Sequence, residues 1–78
     1  MNQTDFKAFF ERLRTEIVYL RYTFENCVLK SIPITRRKRE FWVKFKGEEA
    51  FKAKSGSELV ADITLGGEDI TEKEYNEF

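Results

Sequence analysis

A chain of 78 residues forms one small domain, residues 1–78, because a chain this short buries only about 60% of its unfolded surface and cannot fill two cores. It contains no His, the commonest general base, which argues against an enzyme, and its single Cys excludes an internal disulfide and favours the reducing cytoplasm. The net charge is zero, yet residues 1–56 hold thirteen basic against seven acidic residues, and residues 57–78 hold one against seven. The two parts thus carry +6 and −6, which indicates an anionic partner for one part or attraction between them.

The first predicted element is a long amphipathic helix. Thr4 is a candidate cap, and Asp5 would place a carboxylate near the positive end of the helix dipole. Apolar residues recur with a spacing of three and four, as expected for one buried helical face. They are Phe6, Phe10, Leu13, Ile17, Leu20, Phe24 and Cys27, joined by Phe9.

Three strands are predicted next. Val28, Leu29, Ile32 and Ile34 favour a strand, which Pro33 would place at a sheet edge. Residues 41–46 alternate strictly between apolar and polar side chains, and residues 50–54 continue this pattern after a turn at Gly47. The three strands would form an antiparallel meander.

Two interpretations stay open for residues 57–67. Ser55 with Glu58 fits a capping box and predicts a short helix, whereas alternation up to Gly66 and Gly67 fits a hairpin. Thr71 with Glu74 is a second capping-box signature, which predicts a last helical turn.

The helix stripe and the apolar strand face bury each other in a two-layer α+β domain. A long N-terminal helix would pack on the three-stranded antiparallel meander, with one or two short C-terminal helices after it, in the order α-β-β-β-α. This order resembles that of the double-stranded-RNA-binding domain, which reads RNA shape with basic residues at the start of its last helix. Glu58 and Asp62 stand where lysines would be expected, so no site is carried over.

Signatures of catalysis and of cofactor binding are missing. No phosphate-binding or dinucleotide-binding glycine motif and no nucleophile-elbow motif occurs. Cys27 falls on the apolar stripe, where a thiol is usually a small buried hydrophobe. We therefore expect no enzyme activity, no cofactor and no metal, and without a run of 18 apolar residues we expect no membrane partner.

The alternating strands predict a basic sheet face that can contact nucleic acid. Lysines neutralise phosphates, and an exposed indole can stack on a base. An ordinary solvated sheet face has the same pattern. The candidates are Arg36, Arg37, Lys38, Arg39, Trp42, Lys44, Lys46, Lys52 and Lys54.

Two further surfaces are candidate protein interfaces. Val18, Tyr19 and Tyr22 would cluster on the back of the long helix, either as a patch for a partner or a second copy, or as a layer beneath the C-terminal residues. The acidic C-terminal segment imitates phosphates and would compete for a basic groove on a partner or on this chain's own sheet, unless it is simply solvated. Its candidates are Glu68, Asp69, Glu72 and Glu74.

The leading functional hypothesis is a non-enzymatic binding protein, monomeric or homodimeric, that covers the surface of a protein partner. Its size and charge fit phage or mobile-element inhibitors of host nucleoprotein machinery, anti-CRISPR proteins among them. The alternative is a small nucleic-acid-binding accessory domain or regulator that uses the basic sheet face.

Overall fold

The residues that the structure describes form three helices and a five-stranded antiparallel sheet. The computed structural model describes the backbone of residues 3–78 and the side chains of residues 7–78, so the predicted roles of Thr4, Asp5 and Phe6 lie outside the described side chains. The helices are α1 (Gln3–Thr15), α2 (Glu58–Gly66) and α3 (Glu72–Glu77). The strands are β1 (Val18–Tyr22), β2 (Cys27–Pro33), β3 (Arg39–Phe45), β4 (Phe51–Ala53) and β5 (Glu68–Asp69).

The α+β class and the helix at the start of the chain are confirmed, and the predicted meander is matched in part. Strands β2, β3 and β4 are consecutive antiparallel neighbours, as predicted, but the complete order is β4-β3-β2-β1-β5. Strand β2, which was predicted at a sheet edge, is therefore the central strand. Its Pro33 is tolerated because the pairing of β2 with β1 ends at Ser31, so that Pro33 lies at a free edge on that side.

The predicted long helix is wrong beyond Thr15. Residues Val18–Tyr22 form β1 and, after a single 3₁₀ turn at Thr23–Glu25, the chain reverses into β2. Asn26 makes this reversal in the left-handed region, at φ 51°. The β-branched and aromatic residues of β1 favour a strand. The helical spacing led to the wrong prediction because Leu20 and Cys27 would be buried in a helix as well as in strands, where they are buried in fact.

The C-terminal third resolves the open alternative in favour of a helix. Ser57, two residues after the predicted cap Ser55, caps α2 by accepting a hydrogen bond from the Val60 amide. At the other end, a side chain on Gly67 would bring its Cβ to 2.6 Å from the Ile63 carbonyl oxygen, so only glycine fits this exit into β5. The Thr71 and Glu74 capping box at the start of α3 is present as predicted.

The sheet has two covered faces. The inner face packs against α1 and α2, and its buried side chains form the main core. The outer face carries α3, whose Tyr75 is only 4% exposed and lies close to Tyr19. The main core consists of Leu13, Val18, Leu20, Cys27, Leu29, Phe41, Val43, Val60 and Ile63.

Candidate functional site

The outer face of the sheet carries the predicted indole and several of the predicted lysines. Trp42 lies opposite Lys30 on one neighbouring strand and Lys52 on the other, so the three side chains share this face. The Trp42 indole Nε1 donates to Glu40 at 2.7 Å, and the same carboxylate pairs with Lys52 at 3.6 Å. The indole is therefore half-buried and held by a hydrogen bond within the protein, not presented free for stacking.

The acidic C-terminal segment folds onto this basic face. Lys44 Nζ lies 4.7 Å from the centre of the Tyr75 ring and donates to the Asn76 carbonyl at 3.4 Å, while Lys46 Nζ lies 5.0 Å from the centre of the Phe78 ring. Arg21 pairs with Glu74 at 3.4 Å. Two of the predicted nucleic-acid contacts, Lys44 and Lys46, are thus already engaged by α3 and the residue after it.

The predicted acidic candidates have distinct structural positions. Glu68 and Asp69 form the edge strand β5, and the two carboxylate oxygens of Asp69 accept hydrogen bonds from Arg12, each at 3.0 Å. Glu72 begins α3 and is exposed, whereas Glu74 closes its capping box. The Thr71 backbone N–H, then the Thr71 hydroxyl and Arg21, lower the pKa of Glu74 against a smaller opposing effect of burial.

The predicted helical patch of Val18, Tyr19 and Tyr22 does not exist as one surface. Because these residues lie in β1, alternate side chains point to opposite faces. Val18 is buried in the inner core, Tyr22 packs against that core, and Tyr19 contacts Tyr75 on the outer face. The helical assignment was the error, and with it the joint patch is lost.

The remaining basic candidates gather at one end of the sheet. Arg36, Arg37 and Lys38 are exposed in the loop between β2 and β3, which is closed by hydrogen bonds between Thr35 and Lys38. Arg39 begins β3, and Lys54 directly follows β4, its neighbour in the sheet.

A cleft of about 350 Å³ opens among these basic residues. Its described lining residues carry four basic side chains and one carboxylate, that of Glu40. Burial lowers the pKa of Arg39, and the charge of Arg14 lowers it further. The lining residues are Lys38, Arg39, Glu40, Lys52, Ala53, Lys54 and Ser55.

A second cleft of about 350 Å³ lies between α1 and α2 and is mainly apolar. Leu65 stands on its rim with 71% of its surface exposed, and Phe41 is buried nearby. The sequence did not predict this cleft, because Phe10 and Leu65 come together only in the tertiary structure. The one indication of it in the sequence was Leu65 itself, an apolar residue at the end of α2 that lies off the helix face of the buried Val60 and Ile63. The lining residues are Phe10, Leu13, Arg39, Phe41, Ser55, Val60, Ala61, Thr64 and Leu65.

The described residues include one thiol, that of Cys27, and it lies in the core. Cys27 is fully buried, and its burial raises the pKa of the thiol, so the nucleophilic thiolate is disfavoured. Among the described residues, no three His, Cys, Asp or Glu side chains form a group able to hold a metal ion. None of the described helices has the length and apolar character needed to cross a membrane.

Comparisons with known proteins give one structural likeness. A scan against protein-family models finds no match, and a search of curated proteins finds none either. The fold is similar to that of a chain in the "Crystal structure of the complex between the Type VI effector Tas1 and its immunity protein", with a TM-score of 0.69 and 24% sequence identity. The aligned region covers 83% of this chain and 84% of that chain. The two chains are therefore similar in length and share a fold over more than four fifths of each.

Proposed function

We propose that this chain is a non-enzymatic inhibitor that binds a partner protein and covers part of its surface, as an immunity protein in an effector complex would. The observation that carries the proposal is the shared fold with a chain crystallised in an effector–immunity complex. The buried thiol and the lack of a metal-binding group among the described residues favour the immunity side of such a complex over the effector side.

The surface of the described residues is suited to a protein partner. Non-obligate protein interfaces combine exposed apolar anchors with a polar rim. Here an open apolar cleft and a basic cleft adjoin each other, and Leu65 is exposed at the rim of the first. The narrower hypothesis of a phage or anti-CRISPR inhibitor stays a prediction, since the structural likeness bears only on an effector complex.

Capture of the partner tests the proposal. The full chain is immobilised and exposed to nuclease-treated lysate of its source organism, beside an unrelated bait of equal size and charge. We expect a defined protein to be retained, to bind the purified chain in calorimetry and to lose its activity on binding. If no retained protein binds in calorimetry, and a parallel lysate without nuclease treatment yields only nucleic acid that nuclease then releases, the proposal is overturned.

A nucleic-acid-binding role is the second candidate, and the exposed loop of Arg36, Arg37 and Lys38 favours it. The Arg37→Gln, Lys38→Gln variant should then lose a gel shift that falls with salt, whereas Lys73→Gln, at an exposed site on α3, should keep it. If the intact chain gives no shift in low salt, this role is excluded.

A further inference from the structure

The two clefts are adjoining parts of one surface. Arg39 and Ser55 line both of them, so the apolar cleft between α1 and α2 runs directly into the basic cleft beside β4. A ligand that fills both must therefore present apolar and charged groups within a short distance of each other.

The apolar half provides desolvation energy for such a ligand. Its walls include Leu13, Phe41 and Val60, which are almost fully buried and therefore fixed in position. Leu65 projects from α2 at the rim and remains 71% exposed. An apolar side chain placed against Leu65 would remove this surface from water, which is the main favourable contribution at protein interfaces.

The basic half carries charge that the described residues do not neutralise. Glu40 is the only carboxylate among the described residues that line it, and it is already bound by Trp42 and Lys52. Lys38, Arg39 and Lys54 have no ion pair with a described acidic side chain. Arg39 is half-buried and repelled by Arg14, so an arriving carboxylate would relieve repulsion as well as form a charge-assisted hydrogen bond.

Building on the proposed function, we infer that the joined clefts dock an acidic segment of the partner protein whose apolar side chain enters the α1–α2 cleft while its carboxylates meet Arg39, Lys54 and Lys38. Charge complementarity selects the carboxylates. The apolar half favours a polypeptide over a nucleic-acid backbone, because a sugar-phosphate chain carries no apolar side chain of leucine size with which to fill it. The engagement of Lys44 and Lys46 by the C-terminal segment leaves this end as the main basic surface.

Fluorescence anisotropy with defined probes tests the inference. The first probe is a labelled peptide in which Leu alternates with Glu and Asp; the others replace its Leu by Ser, replace its acids by Gln and Asn, or are single-stranded DNA of similar length. We expect the first peptide to bind at least about tenfold more tightly than the other three. Equal or tighter binding of the DNA, or no binding of the first peptide, would overturn the inference.

Variants then locate the site. Arg39→Gln with Lys54→Gln should weaken binding of the first peptide by about tenfold or more, and Leu65→Ser by roughly threefold to tenfold. The matched controls are Lys73→Gln and Phe24→Ser, two exposed positions outside the clefts, which should stay within about twofold. Circular dichroism and thermal unfolding verify that each variant folds. Equal losses in variants and controls would contradict the assignment.

Failure of this inference is distinguishable from failure of the proposed function. If the captured partner binds the Arg39→Gln, Lys54→Gln variant and the Leu65→Ser variant as tightly as the wild type, the protein is an inhibitor that uses another surface. If no protein is captured while the first peptide binds with the predicted pattern, the docking surface stands and the inhibitor role falls.

Discussion

The inner and outer faces of the same sheet are covered by different kinds of contact. On the inner face α1 and α2 bury aliphatic side chains such as Leu29 and Ile63 completely. On the outer face the six-residue α3 is held by the Tyr75 ring, by lysines over aromatic rings and by the half-buried Arg21–Glu74 pair. Aliphatic burial contributes more than screened charge contacts. The inner face should therefore determine global stability, while α3 should open more easily.

The largest expected effect comes from Leu29→Ala at the centre of the inner face. The change leaves a cavity where the side chain is 0% exposed, and it should lower the free energy of unfolding by about 2–5 kcal/mol. Urea unfolding followed by Trp42 fluorescence measures it. The exposed control, Leu65→Ala, should stay within about 0.5 kcal/mol. If both cost the same, the inner face is not the main source of stability.

Removing the ring of Tyr75 tests the outer face. Tyr75→Ala should lower the free energy of unfolding by about 2–3 kcal/mol, less than the usual cost of removing a large core ring, because α3 can partly detach instead of leaving a cavity. Tyr75→Phe keeps the ring that contacts Tyr19 and Lys44, and should cost less than about 1 kcal/mol. Hydrogen exchange should show α3 amides unprotected in the Ala variant only. Protection in both variants would mean that α3 is held by something other than this ring.

Two serine substitutions should change the free energy of unfolding in opposite directions. Ser31 is 0% exposed on the inner face, and its hydroxyl has no hydrogen-bond partner among the described residues. Ser31→Ala should therefore raise the free energy of unfolding by about 1 kcal/mol. Ser57→Ala removes the cap of α2 and should lower it by about 1 kcal/mol. Thermal unfolding compares them; destabilisation by Ser31→Ala would show that the buried hydroxyl has a structural role.

The smallest expected effect is a pH dependence confined to α3. Glu74 has a folded-state pKa below the ordinary value of 4.5, so its ionised form stabilises the fold above that value, and this contribution is lost as the pH falls through the folded-state pKa. Glu74→Gln keeps an acceptor for the Thr71 amide but does not titrate. The stability difference between wild type and variant, measured by urea unfolding, should shrink between about pH 6 and pH 3. A constant difference would contradict this role for the carboxylate.

Local signals predicted those parts of the fold that depend on neighbours in the chain. Strict alternation in residues 41–46 placed Phe41 and Val43 in the core and Trp42 on the other face, as the structure shows. The Thr71 and Glu74 capping box was equally local. Strand β1 was missed because its residues also continue a helical spacing, and β5 was missed because a strand of two residues exists only through its pairing with β1.

The candidate site was less predictable than the fold. The sequence identified the basic cluster of Arg36–Arg39. It did not predict that α3 and the residue after it would contact Lys44 and Lys46. The apolar cleft is lined by Phe10 and Leu65, which are 55 positions apart in the sequence. The spacing of apolar residues within one helix or strand cannot predict such a long-range contact surface. Their positions in the fold, and not their residue types, distinguish the open basic cleft of Lys38, Arg39 and Lys54 from Lys44 and Lys46, which the C-terminal segment contacts.

The most direct test is a nitrogen-15 chemical-shift titration of the full chain with its captured partner. We expect the amide signals of Arg39, Ser55 and Leu65 to shift or broaden, while those of Tyr75 and Asn76 in α3, which line neither cleft, stay in place. Shifts confined to Trp42, Lys44 and α3, with unchanged signals from the two clefts, would contradict docking at the joined clefts.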